Sequence, residues 1–465
     1  MFRSHSGVFL ALVATSAALT ACSSSTGTTT PNPTLDHIAL SATIATLAPG
    51  QQITLTATAV ASDGSTLSQT IQWASSSPTF ATVTQGGVVT AVAVGSATIT
   101  ASAGGKSAQA VITVATGGST SHVFADLAAG YDYTICGRTT DGSSWCWGHN
   151  IGGQIGDGTT FNRLVPTLVS GGHTFAEIET GPNDSCARTA AGVAYCWGNL
   201  VGDGTPNNAL VPTAVSGGLS FTQLAVGLGH DCGLATTGLV YCWGDNLAGL
   251  LANGANYYVP SALNGGMVFV DLSGKGDYGC GRTAAGLAYC WGDNLGGDLG
   301  DGTQIGRFVP TAVSGGLSFA QLATSYDHTC AATAAGATYC WGYGGAGQLG
   351  NGTTTLSQLT PTLVSGGHAF TQLALGTNHS CALTAGGAAF CWGDNAFGQL
   401  GDATTTARLI PTAVSGGLSF VKIVASHINT CGLTAAGAAY CWGDNVYGQI
   451  GDGTVTDRAT PTLVH

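Results

Sequence analysis

Charge is scarce in this chain. Only 7 % of its 465 residues are Asp, Glu, Lys or Arg, and 11 basic residues face 23 acidic ones for a net charge of −12. No run of Lys or Arg occurs, so the clustered cationic surface that a phosphate backbone requires cannot form, and no nucleic-acid partner is expected. Long apolar runs are missing beyond the first 22 residues, which leaves no further segment able to span a bilayer as a helix. Cysteine is absent from residues 23 to 135, so whatever folds there relies on its core alone. There is no nucleophile elbow, no cysteine pair at zinc-ligand spacing and no carboxylate pair set apart from its surroundings. Asp184, near Glu177 and Glu179, is the one acidic knot. These absences argue against an enzyme, a metal or a bound cofactor. What is present is 44 % hydrophobic residues and 73 glycines, arranged in short alternating runs with turn residues between them. That is an all-β pattern rather than a disordered one.

The chain opens MFRSHSGVFLALVATSAALTAC, an Arg followed by a short apolar run ending in small residues, and residues 1–21 read as a secretory signal. Cys22 directly after Leu19-Thr20-Ala21 resembles the bacterial lipobox. That resemblance implies a lipidated Cys22 at the mature N-terminus, and Ser23 after it resembles sorting to the outer membrane. The expectation is a protein held in the bacterial cell envelope, touching the membrane only through its lipid. A plain signal peptide that happens to contain Cys is the alternative. Residues 22–34, polar and interrupted by Pro, form a tether reaching roughly 20 Å by random-coil scaling.

Residues 35–115 alternate apolar and small polar side chains in ITLTATAVA, SATITASA and AQAVITVA, punctuated by Asp63-Gly64, Gly86-Gly87 and Gly104-Gly105. Period-two alternation predicts an antiparallel sandwich with Trp73 as its core aromatic. The phrase IQWASSSPTFATVTQGGVVTAVAVGSATITA resembles group 2 bacterial immunoglobulin-like domains, a resemblance that implies a spacer or adhesion module. Residues 116–121 read as a linker, and 122–465 as one repetitive domain.

In that domain Cys-Trp-Gly begins at Cys146, Cys196, Cys242, Cys290, Cys340, Cys391 and Cys441, and each has a partner ten residues earlier: Cys136, Cys186, Cys232, Cys280, Cys330, Cys381 and Cys431. These pairs and Cys22 account for all 15 cysteines. A Gly stands six residues after each first Cys, as at Gly387. A three-residue hairpin loop such as Ala385-Gly386-Gly387 needs positive φ at its third position. Folding about it sets the two cysteines opposite each other, within disulfide reach. Two thiolates across a turn make a poor zinc site, and the Cys-x-x-Cys of redox centres is absent, so structural disulfides in an oxidising compartment fit best.

The whole unit reads FxxLAxGxxHxCxLTxxGxxYCWGDNxxGQLGDGTxxxRxxPTxVSGG, four short strands too thin to fold alone. Stacked radially, seven units predict a seven-bladed β-propeller behind the immunoglobulin-like β-sandwich. The unit resembles the regulator-of-chromosome-condensation repeat, whose members form seven-bladed propellers that serve as interaction platforms. The final Pro-Thr-Leu-Val (461–464) is expected to close the ring by joining the first blade. The recurrent Trp reads as packing between blades, with exposed sugar-stacking platforms as the alternative. Arg163, Arg307, Arg408 and Arg458 each follow an Asp by six residues and predict exposed Asp–Arg clamps.

The loop before each first Cys varies instead. It supplies the candidate binding face: Tyr131, Asp132, Tyr133, Asn183, Asp184, His230, Asp277, Tyr278, Tyr326, Asp327, His328, Asn378, His379, His427 and Asn429. Tyr and His with Asp and Asn suit recognition of a protein partner. The leading expectation is a monomeric, lipid-anchored binding protein. An envelope glycan-binding or adhesion module is the runner-up, and a polysaccharide-active enzyme is third.

Overall fold

The computed structural model describes residues 33–47, 52–93, 95–114, 122–199, 201–244 and 257–465. The signal segment 1–21, Cys22, nearly all of the tether and the 116–121 linker lie outside the described residues. No helix occurs among those that are described, and the chain divides into two compact units.

The first unit is built from three antiparallel sheets. The longest strands, Gly95–Ala103 and Lys106–Val114, run side by side in a four-stranded sheet with Ile44–Leu47 and Gln72–Ser75. Alternation decides their faces: Ala97, Ile99 and Ala101 are buried from one strand and Ala110, Ile112 and Val114 from the other. Trp73, paired in register with Ala101, is buried with them.

The second unit contains seven four-stranded sheets, each from consecutive strands. The first uses Phe124–Ala129, Thr134–Thr139, Ser144–Gly148 and Arg163–Leu168. The first strands of successive sheets pack side by side around a central axis, and the first sheet meets the seventh. The sheets therefore act as blades of a closed ring. Cys136 pairs in register with Cys146, as Cys381 does with Cys391, and each of the seven hairpins carries its disulfide across Cα atoms 4.1 Å apart.

The hairpin glycine has two tasks. Gly387 has φ 80°, and Thr384 and Ala388 close the three-residue loop around it. Its carbonyl also accepts the N–H of Phe420, the first residue of the next blade, at 2.9 Å. A Cβ there would stand 2.4 Å from Ser419 Oγ, so any other residue disturbs the turn and the blade contact together. The same bond recurs from Phe124 to Gly437 and joins the two ends of the ring.

The C-terminus corrects one expectation. Arg458–Leu463 is the fourth strand of the seventh blade, beside Ala439–Gly443, and among the described residues no strand crosses into the first blade. Besides the Phe124–Gly437 bond, closure uses side chains: Val464 and Ile450 pack with Trp147 and Phe124 of the first blade, whose Trp147 Nε1 donates to Gln449 O at 3.0 Å. Each blade contains its own fourth strand, so the last blade needs no exchange.

Candidate functional site

All seven Cys-Trp-Gly tryptophans are 0 % exposed. Each packs against the preceding blade, and in the fifth blade the last Gly of Gly-Gln-Leu-Gly, Gly350, comes so close that a Cβ would meet the indole of Trp392 at 2.6 Å. Trp392 Nε1 donates to the Gln348 carbonyl at 2.8 Å, and Trp197 likewise reaches Gln154 O. Sugar-stacking platforms at these positions are thereby ruled out. The buried Asn of Gly-Asp-Asn organises the long loop: Asn395 Nδ2 donates to the carbonyls of Thr404 and Thr406, while its Oδ1 accepts from Leu400 N. The four Asp–Arg clamps are present, but they are less exposed than expected. Asp301, Asp402 and Asp452 are almost fully covered, and burial alone would raise their pKa. Donation from Thr303, Thr404 and Thr454 and from the paired guanidinium groups outweighs it and holds the carboxyls below their usual value.

The candidate face divides in two. Asp184, His230, Tyr278, His328, His379 and Asn429 are buried and do not form a surface. Each begins a second strand two residues before a cysteine and shares the cysteine's side of the sheet, which faces the next blade. The bonds confirm the direction: Tyr278 OH donates to His328 O, and His328 Nε2 and His379 Nε2 lie 2.8 and 2.9 Å from the hydroxyls of Ser380 and Thr430. Burial, and then His328, push the His379 pKa down to about 3, so this ring is a neutral hydrogen-bonding link. Nor do Asp184, Glu177 and Glu179 form a knot. Glu177 pairs with Arg188, Glu179 lines the axial cavity, and Asp184 lies between blades two and three. There, burial and then Asp184 raise the Asp231 carboxyl far above its usual value. Asp231 contacts Cys186 Sγ at 3.4 Å, but Cys186 and Cys196 are already joined, so these three residues offer no thiolate to a metal.

The remaining residues stay at the loop tips, and some meet across the axis. Tyr131 of the first blade stacks on Tyr326 of the fifth with ring centres 5.1 Å apart. His427 of the seventh blade sits 4.6 Å from Tyr131 and 5.3 Å from Tyr133, and Thr377 Oγ1 is 2.7 Å from its Nδ1. Tyr133 continues to Tyr447 and Tyr447 to His149, which in turn lies 3.0 Å from Asp132. Beneath the tyrosine pair, Lys275 of the fourth blade donates to Ala129 O and Ala425 O of the first and seventh blades at 3.1 and 3.0 Å. The axis is thus capped on the loop face by aromatic rings over an ammonium group. Asn183, Asp277, Asp327 and Asn378 are half-buried at neighbouring loop tips. Burial first raises all three phenol pKa values; Tyr326 and then Asp carboxylates add to it at Tyr131, and Asp carboxylates at Tyr326 and at Tyr133, which reaches about 12.

Two features of this region escape the consensus pattern. Tyr133 has φ 64° without being Gly. The first blade's loop runs from Gly130 N to Thr134 O, one residue longer than Gly376 N to His379 O, and the extra residue takes the left-handed conformation. The spacing of Phe124 to Cys136, one longer than Phe370 to Cys381, already signals it. The second is the third residue of each FxxL stretch, written there as x: Asp126, Glu177, Gln223, Asp271, Gln321, Gln372 and Lys422. Gln223 Oε1 accepts Leu272 N at 3.0 Å, Gln372 Oε1 accepts Ile423 N at 3.0 Å, and Lys422 pairs with Asp126 across the ring junction. Several of these side chains line an axial cavity of about 320 Å³.

Comparison with known proteins agrees with this architecture. The bacterial Ig-like domain (group 2) matches residues 35–114. The regulator of chromosome condensation (RCC1) repeat matches 141–187, 285–332, 335–383 and 386–433, and a second description of the same repeat matches 221–249, 370–399 and 420–449. Among solved structures, human WBSCR16 is similar at 20 % identity and TM-score 0.64, covering 70 % of this chain and 94 % of that one. Prp20p from Saccharomyces cerevisiae is similar at 19 % identity and TM-score 0.63, over 74 % and 88 %. Yeast RCC1 (Prp20) in its complex with Kap60 gives 20 % and 0.62, over 69 % and 83 %. At such identities the likeness concerns the fold. The chain belongs to the regulator of chromosome condensation repeat proteins, with a group 2 bacterial Ig-like domain ahead of its repeats.

Proposed function

We propose that this protein is a lipid-anchored platform of the bacterial envelope whose propeller binds a protein partner through the loop face capped by Tyr131 and Tyr326. The observation that carries it is the aromatic cluster spanning blades one, five and seven, set on a frame that is otherwise uniform. Rigid aromatic anchors beside adaptable polar groups are the chemistry of protein recognition. The Prp20 structures concern a complex with Kap60 and binding to Gsp1p and histones, which are protein partners on a propeller of the same kind. Cys22 supplies the anchor, and the Ig-like unit holds the propeller away from the outer membrane. A glycan module finds little support, because the repeated Trp rings it would use are all buried.

The test is affinity capture from envelope and culture extracts by the full chain and by Tyr131→Ala/Tyr326→Ala. Proteins held by the first and lost by the second support the reading. Identical recoveries, or polysaccharide alone, overturn it. Cys22→Ala should move the protein from membrane to soluble fractions, and unchanged retention rejects the anchor.

A further inference from the structure

We infer that the loop face recognises a cationic protein segment, one in which Lys or Arg side chains alternate with apolar ones. This rests on the interaction reading above and adds the chemistry of the partner. Three features of the face converge on it.

The first is an excess of carboxylates. Asp132, Asp277, Asp293, Asp327 and Asp444 all act on the tyrosine cluster: Asp132 and Asp327 on Tyr131, Asp277, Asp293 and Asp327 on Tyr326, and Asp444 and Asp132 on Tyr133. Among the described residues, the only Lys in these loops is Lys275, and its ammonium is engaged by two carbonyls below the rings. The four Arg at the outer rim are each locked to an Asp of their own loop. Five carboxylates thus surround one Lys ammonium, with His149 beside Asp132, and the face has an excess of negative charge.

The second is the ring geometry. Tyr131 and Tyr326 stack at 5.1 Å over the axis and Tyr326 is 37 % exposed. A tyrosine face flanked by carboxylates favours a guanidinium or ammonium group, through the ring quadrupole and the charge together. The third is an apolar rim. The described long loops abut this face, since Asp293 N donates to Asp277 O, Asp394 N to Asn378 O and Asp444 N to Ile428 O. At the loop crest stand Ile151, Leu295 and Val446, exposed by 70 %, 77 % and 55 %, with Phe397 beside the equivalent position in the sixth blade. Exposed aliphatic residues repeated around an acidic centre mark a protein-docking surface rather than a metal or sugar site. An isolated cation would have no use for the rim, and an anionic segment would be repelled at the centre.

The experiment selects binders from a random 12-residue peptide display library on the full chain. Binding of the enriched peptides is then measured on four proteins: wild type, Tyr131→Ala/Tyr326→Ala, Asp132→Asn/Asp327→Asn, and the remote charge control Asp36→Asn/Asp141→Asn. The expected peptides carry Lys or Arg beside aliphatic residues. Their affinity should drop at least tenfold with the tyrosine pair and with Asp132→Asn/Asp327→Asn, and stay within twofold on the control. The isosteric Asp→Asn pair keeps the test valid should the tyrosine variant lose its fold, which circular dichroism reveals. Neutral or acidic peptides that still require the tyrosines overturn the cationic partner and leave the interaction face standing. Peptides that bind the tyrosine variant equally well overturn both. An equal loss on the control means bulk charge alone and rejects the site, and failure to enrich any peptide counts against it too.

Discussion

Within each loop that enters a second strand, adjacent residues have opposite fates. His379 is buried and bonded to Thr430 of the next blade, while Asn378 beside it stays partly open to solvent. Tyr278 and Asp277 repeat the division, as do His328 and Asp327. The buried member varies from Asp to His, Tyr and Asn between blades, so variability alone does not mark a surface. What distinguishes the two is register: the residue two before the cysteine is committed to the strand's inward face, and those ahead of it are not. Frame and face are therefore interleaved along the chain, and each can be disturbed without the other.

The largest effect should come from the frame. Trp392→Ala removes a fully buried indole, its bond to Gln348 O and the partner surface of Gly350. A loss of about 3–5 kcal/mol is expected from a large-to-small change in a closed core. Trp145, half-buried against His122 at the margin of the cluster between blades seven and one, provides the contrast, and Trp145→Ala should cost clearly less. Denaturant unfolding followed by far-ultraviolet circular dichroism measures both. Equal losses would mean that the interblade position has no special weight.

The cysteine pairs and hairpin glycines are legible in the amino-acid sequence itself, because a ten-residue spacing around one left-handed position leaves a hairpin little freedom. The Trp ring is legible too, since seven recurrences of a large aromatic imply a common buried environment. The face is legible only as a set of loops. Nothing in local spacing brings Tyr131 to Tyr326, nearly two hundred residues away, or sends Lys275 under both to reach Ala129 and Ala425. Those contacts depend on ring closure, which places distant loops around one axis. The inward turn of His230 and Asn429 is hidden because short polar residues near glycines fit a loop tip equally well. The expected strand exchange at residues 461–464 fails for a plainer reason: each blade already contains its own fourth strand.

An effect that grows with pH should appear where the frame departs from its own pattern. Asp298 stands where four other blades have Gln154, Gln348, Gln399 and Gln449. Burial, and then Asp327, raise its carboxyl from 3.8 to about 8. The folded state favours the neutral acid, so its contribution is fully present below pH 3.8 and is lost as pH rises through about 8. Over that window the slope is at most about 1.4 kcal/mol per pH unit. Asp298→Asn is neutral throughout. Its melting temperature should match wild type near the acid end and exceed it at the alkaline end, with the gap widening between. A gap independent of pH would show that Asp298 is ionised in the fold and that the departure has another cause.

The smallest effect on stability should belong to the face. Replacing Tyr131 and Tyr326 by Ala removes one stacked pair, worth about 0.5–1.5 kcal/mol beyond its area. Lys275 keeps both carbonyls, and neither Tyr contributes to the packed clusters between blades. The double variant should therefore unfold within about 1.5 kcal/mol of wild type while binding collapses. Trp392→Ala should do the reverse at temperatures where it remains folded. If the tyrosine pair instead costs as much as the buried indole, the cap over the axis belongs to the frame. Tyr133, with its positive φ in the one lengthened loop, would then be the residue to change next, since an insertion that only stabilised the ring would not need to occur in a single blade.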